Sequence, residues 1–264
     1  MKQSWMRFPV NWFALSAILN VAGCGSRPDL ETAQTFQEAE TSFSAAESKD
    51  EFARVAGQYD QLLANGFVSG VALYNQGNAW MRAGETGRAI AAWRQAQRYR
   101  PRDPYLSANL QSALTSCASK APVNQEVGFG GYVFFWQNWL SYPEKFLLAT
   151  LSLIASCVVG LLGPLLVQRR AVRRLTLVFG ALFAVAAISA TWDWQRYEQT
   201  TQGVIAQDSI EARKGNSESY EAAFTMPLPE GSEFVVLEER ADWLRIRITD
   251  LGTAWIPTRA AVTY

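Results

Sequence analysis

Apolar residues are not spread evenly along the chain. They gather into two uncharged runs, 146–167 and 175–192, separated by the heptapeptide QRRAVRR at 168–174. Each run is long enough to cross a bilayer core of about 30 Å at ~1.5 Å per helical residue. The short link predicts that the two spans form an antiparallel hairpin. Arg169, Arg170, Arg173 and Arg174 in that link mark its side as cytoplasmic, because short Arg-rich loops are retained there. The segments before 146 and after 192 are then predicted to be extracytoplasmic. The flanks agree: Trp136, Trp139 and Tyr142 precede the first span, and Trp192, Trp194 and Tyr197 close the second, the positions of an interfacial aromatic belt.

Upstream, 29–118 reads as helical throughout. Its clearest stretch, ALYNQGNAWMRAGETGRAIAAWRQAQRYRPRD at 72–103, sets small Gly77, Ala89 and Ala96 among large Leu73, Trp80 and Trp93. Gly84-Glu85-Thr86-Gly87 divides it into two helices and Pro101 stops the second. Val55, Tyr59 and Leu62 stand 34 residues before Ala89, Trp93 and Ala96, which predicts a related helix one period earlier, with a partner around 36–46. Tyr105, Leu106, Leu110 and Leu114 predict a covering helix over 104–116. The whole is expected to be a stack of about five helices, because a single such hairpin cannot bury its face alone. Residues 119–145, with Pro122, Gly128, Gly130 and Gly131, read as a linker to the first span. Beyond 203 the period shortens: FVVL lies within 233–239, and Leu244, Ile246 and Ile248 alternate with Arg245 and Arg247. This predicts a small all-β unit over 203–264.

Charge and composition narrow the function. The 264 residues carry no formal net charge, so there is no global basic field of the kind nucleic acid requires. Histidine is absent, which removes the most versatile general base and the commonest metal ligand. Neither a phosphate-binding Gly-rich loop nor a clustered ligand set is present, and Glu238-Glu239 alternate across a strand and cannot converge on one atom. A non-enzymatic protein without a cofactor is expected. Of the three cysteines, Cys157 lies inside the first span as a small packing residue, and Cys117 ends a helical region as a candidate free or intermolecular thiol. The start of the chain has the form of an export signal: Lys2 and Arg7, an apolar stretch at 12–19, then small residues.

Three parts of the chain resemble known families. VAGC at 21–24 resembles a bacterial lipobox, which implies a lipoprotein-type signal over 1–23 and a lipid on Cys24. The stretch 72–103 resembles a tetratricopeptide repeat. That resemblance implies a concave face on the first helix of each repeat, where Tyr74, Asn75, Asn78, Met81 and Arg82 would meet a partner segment. AR-KG-NSESY (212–220), EG (230–231), ADWLRIR (241–247) and GTAWIP (252–257) together resemble a bacterial SH3-type barrel. Its aromatic groove would be formed by Tyr220, Trp243 and Trp255.

The order of these parts is similar to that in the E-type members of the Bat (Bacteroides aerotolerance) family, most specifically over 66–111. The resemblance implies a multi-domain protein of the bacterial inner membrane, with tetratricopeptide-type hairpins and the SH3-type domain both outside the cytoplasm. It also implies partners: von Willebrand A-domain membrane proteins and a AAA-type ATPase system, in an envelope complex linked to aerotolerance. Two functions compete. One is a membrane-anchored scaffold that recruits proteins; the other is an anchor or sensor that holds peptidoglycan through the SH3-type domain.

Overall fold

The computed structural model describes residues 30–118, 135–166, 168–249 and 251–264. The expected signal at 1–23 and Cys24 lie outside the described residues, as does most of the linker.

Five helices build the first layer: α1 (Leu30–Ala45), α2 (Lys49–Ala64), α3 (Gly70–Ala83), α4 (Thr86–Tyr99) and α5 (Pro104–Ala118). Local chemistry sets their ends. Ser48 and Glu51 form a capping box before α2, and Ser69 accepts from Val71 N–H at the start of α3. Gly84, at φ +90°, closes α3 in the left-handed conformation that glycine adopts without a Cβ clash. Asp103 accepts from the N–H groups of Tyr105 and Leu106 at 2.9 and 3.2 Å, with Pro104 opening α5. Each helix packs on its predecessor. The small and large positions behave as the periodicity predicts: Leu73, Trp80, Ala89, Trp93, Ala96 and the upstream Val55, Tyr59 and Leu62 are all buried. Gly77 is small because the Trp93 indole occupies the space a side chain there would need. Tyr105 differs and is exposed, while Leu106 and Leu110 carry the contact of α5.

A short helix α6 (Phe135–Trp139) leads to two long helices, α7 (Tyr142–Leu166) and α8 (Arg169–Glu198), packed as an antiparallel hairpin. Both are long and apolar enough to cross a membrane, with mean hydropathies of 2.3 and 2.0 in their most apolar windows. Only 11% and 17% of those windows are buried within the protein. Helices of a soluble core would be covered, so these two present their apolar surface to the surroundings. α7 begins four residues before the expected span 146–167, and α8 exceeds the expected span 175–192 at both ends. The four arginines, expected in a loop at 168–174, instead occupy the first turns of α8. Long cationic side chains can reach away from apolar surroundings while the backbone stays helically bonded. Cys157, expected to pack inside, is exposed on α7.

The C-terminal unit is an open antiparallel sheet of β1 (Gln202–Ile205), β2 (Glu233–Arg240), β3 (Trp243–Ile248), β4 (Gly252–Pro257) and β5 (Ala261–Thr263), in the order β4-β3-β2-β1-β5. Alternation along β3 puts Leu244, Ile246 and Ile248 into a core with Ile205, Phe234 and Ile256. The expected barrel is therefore corrected: the sheet does not close. The segment that would complete it, 206–230, forms only isolated bridges, among them Arg213 with Trp255 at the β4 edge. At the other end of the sheet, Val204, Val262 and Tyr264 pack into the helical core instead of a closing strand.

Candidate functional site

The predicted partner face lies on α3, flanked by α1 and α5. Asn75 Nδ2 donates to Glu40 Oε1 on α1 at 3.4 Å, and Asn109 Nδ2 on α5 donates to Tyr74 Oη and Asn78 Oδ1, both at 3.2 Å. Three helices are thus joined across one face by a polar ladder of neutral amides, a phenol and one carboxylate. The Arg100 guanidinium lies over the Tyr74 ring, with 5.4 Å to the centroid. Met81 and Arg82 sit at the far end of α3, both exposed, with Arg82 stacked on the Phe52 ring. So Tyr74, Asn75 and Asn78 act together, while Met81 and Arg82 form a separate edge. Glu40 and Asn109 went unrecognised in the sequence. The signal that finds them is spacing: Glu40 to Asn75 and Tyr74 to Asn109 are each 35 residues, one more than the 34-residue repeat period.

The opposite face of the stack carries the sheet. Arg94 of α4 makes a bidentate pair with Glu233 of β2, Nε to Oε1 at 2.6 Å and Nη2 to Oε2 at 2.9 Å. Arg98 lies over the rings of Tyr197 and Tyr264, 4.5 and 5.5 Å from their centroids. No side chain of its own caps α4; Glu230 Oε1, 143 residues away, accepts from Gly87 N–H at 2.7 Å. A Cβ at Gly87 would collide with the Ile205 carbonyl, so glycine here permits the close approach of β1. Burial pushes the Tyr264 hydroxyl up to about 12, with the nearby Glu233 carboxylate adding to the shift.

The three aromatics expected to form a groove on the sheet are only partly brought together. Register places Trp243 and Trp255 on the same face of β3 and β4, since Trp243 pairs with Pro257 and Arg245 with Trp255. Trp255 is 9% exposed beneath the Arg240 guanidinium, and Trp243 is half-buried. Tyr220 is exposed and lies over Gly215; Arg213 Nη1 donates to its carbonyl at 3.3 Å. This is a packed rim with one open ring, not an open aromatic trough.

The hairpin has two contrasting ends. Where it meets the folded parts, Lys145 Nζ donates to Asp193 Oδ2 and to the Gln137 carbonyl, each at 2.6 Å. The Gln137 amide donates to Asp193 Oδ1 at 2.5 Å, and Ser189 Oγ donates to Gln137 Oε1. The Lys145 and Asp193 side chains are 1% and 6% exposed. Arg102, at the α4–α5 turn, pairs with Glu144 and lies over Trp139. At the far end stand Arg169, Arg170, Arg173 and Arg174 on the first turns of α8.

No protein-family model, curated protein or solved structure matches this chain.

Proposed function

We propose that this protein is a membrane-anchored, non-enzymatic scaffold whose tetratricopeptide-type stack recruits partner proteins on the extracytoplasmic side of the bacterial inner membrane. The observation that carries the proposal is the division of labour between the two faces of the stack. The outer side of α4 is occupied by the chain's own sheet, while α1, α3 and α5 present the amide ladder, with Met81 and Arg82 exposed beside it. Amides and a phenol along one face suit an extended peptide backbone, and Arg82 suits a carboxylate. The paired apolar helices support the anchor, and the clustered arginines support an orientation with their end in the cytoplasm.

By the resemblance to the Bat family, the partners are von Willebrand A-domain membrane proteins working with a AAA-type ATPase. The SH3-type unit then serves as a brace behind the stack. Its use as a peptidoglycan anchor draws less support, because Trp255 is covered.

Co-purification of the full-length protein from detergent extracts tests the proposal. Asn78→Ala with Arg82→Ala should release a co-expressed von Willebrand A-domain partner while Trp243→Ala keeps it. The reverse pattern, with sacculus binding abolished by Trp243→Ala and partner capture unchanged by the double variant, would favour the anchor.

A further inference from the structure

Between α7 and α8, at the arginine end, lies an open crevice lined by Gly160, Pro164, Val172 and Thr176, with Arg169 and Arg173 at its rim. Its walls are apolar, yet polar groups lie among them. Pro164 has no N–H, so the Gly160 carbonyl lacks its helical donor. Thr176 Oγ1 is buried without a hydrogen bond among the described residues. Gln168 supplies no side-chain cap to α8; its carbonyl accepts from Ala171 and Val172 N–H, and the N–H groups of Arg169 and Arg170 are directed toward the same end. Among the described residues, none of the four arginines has an acidic partner.

Helical spacing sorts these arginines. Arg169 and Arg173 are four apart and share the face that borders the crevice; Arg170 and Arg174 share the adjacent face. An occupant must bring an anion to a pair of guanidiniums and an apolar tail to the walls below them. We propose that this crevice binds an anionic glycerophospholipid. Arg169 and Arg173 hold its phosphodiester, and an acyl chain lies along Gly160 and Leu177. A zwitterionic headgroup fits less well, because its own ammonium competes with the guanidiniums for the phosphate. The inference rests on the reading that the hairpin crosses a membrane.

The test uses full-length protein in a neutral detergent, with dioleoyl phosphatidylglycerol or dioleoyl phosphatidylcholine added and bound lipid counted by native mass spectrometry. The wild type and Arg170→Gln/Arg174→Gln should retain phosphatidylglycerol in preference to phosphatidylcholine. Arg169→Gln/Arg173→Gln, which removes the same charge, should lose that retention by about tenfold. Equal losses in the two double variants, or equal retention of both lipids by the wild type, would overturn the site. Inorganic phosphate should leave the lipid bound; displacement by phosphate alone would overturn the role of the acyl chain. Carbonate extraction of cell membranes separates this from the reading beneath it. Membrane-retained protein without lipid preference defeats the site alone, and protein released by carbonate defeats the spanning hairpin itself.

Discussion

The two ends of the apolar hairpin solve the same problem in opposite ways. Where the hairpin joins the folded parts, a lysine and an aspartate are buried against each other, and Gln137 and Ser189 complete the network. At the other end, four arginines stand without acidic partners among the described residues. A charge neutralised inside the protein fixes geometry; a charge left open seeks a partner outside. The first end therefore acts as a clamp holding α6, α7 and α8 together under the stack. The second is left open to partners outside the chain. The helical stack attaches at the clamp, through Arg102 to Glu144 and through Arg98 to Tyr197.

The sharpest way to break this contrast is to unpair the clamp. Asp193→Ala leaves Lys145 charged and buried, at a cost of about 3–5 kcal/mol, whereas Lys145→Met with Asp193→Leu should recover most of that loss. Thermal unfolding in detergent, followed by near-ultraviolet circular dichroism, reads both. Equal stability of the two variants would mean that water reaches the pair.

Buried hydroxyls offer a second comparison, because they stay neutral until high pH. Tyr59 is fully buried in the stack, and desolvation raises its pKa to about 12. The unfolded chain releases this proton near the ordinary value of 10.0, the folded chain only near 12. Stability is thus unaffected below the lower value and falls as pH rises between the two, by on the order of 2 kcal/mol. Tyr59→Phe should flatten that alkaline loss in a pH series of denaturant unfolding curves.

A smaller effect probes the brace. Gly87→Ala should cost about 1–2 kcal/mol at the junction between stack and sheet, although alanine is the better helix former. Hydrogen exchange should rise in β1 and around Glu230 while the α2–α3 contacts keep their protection. Smallest is Arg102→Ala. The Arg102 and Glu144 side chains are 42% and 39% exposed, so the change should cost below about 1 kcal/mol. A larger loss in the same thermal assay would move the clamp's centre from the buried pair to this surface contact.

Much of this was legible in the sequence where the signal is local. Glycine and proline stops and small-to-large alternation placed the helices, and the uncharged runs located the two long ones. The expected spans stopped just inside Lys145 and Asp193, because each charge ended an apolar window. That the two boundary charges answer each other requires knowing the hairpin's register. The docking of the sheet on α4 was illegible for the same reason, since Glu230 and Gly87 lie 143 residues apart. The EG at 230–231, used as a mark of a barrel, sits at that docking corner, where Gly231 lies against Cys117. The ladder was half legible: the resemblance to a tetratricopeptide repeat named Tyr74, Asn75 and Asn78, and only packing revealed Glu40 and Asn109 as their partners. Barrel closure was expected from the resemblance to an SH3-type domain, and the alternation beside it could not correct this, because it reports the faces of strands and says nothing about which edges pair.

Everything functional depends on where the chain's two folded parts stand relative to the bilayer. Alkaline phosphatase fused after Tyr264 measures this directly, since the enzyme is active only once exported. The account predicts full phosphatase activity there and a dark fluorescent protein in the same position. An inactive phosphatase paired with a bright cytosolic fluorescent fusion would contradict it.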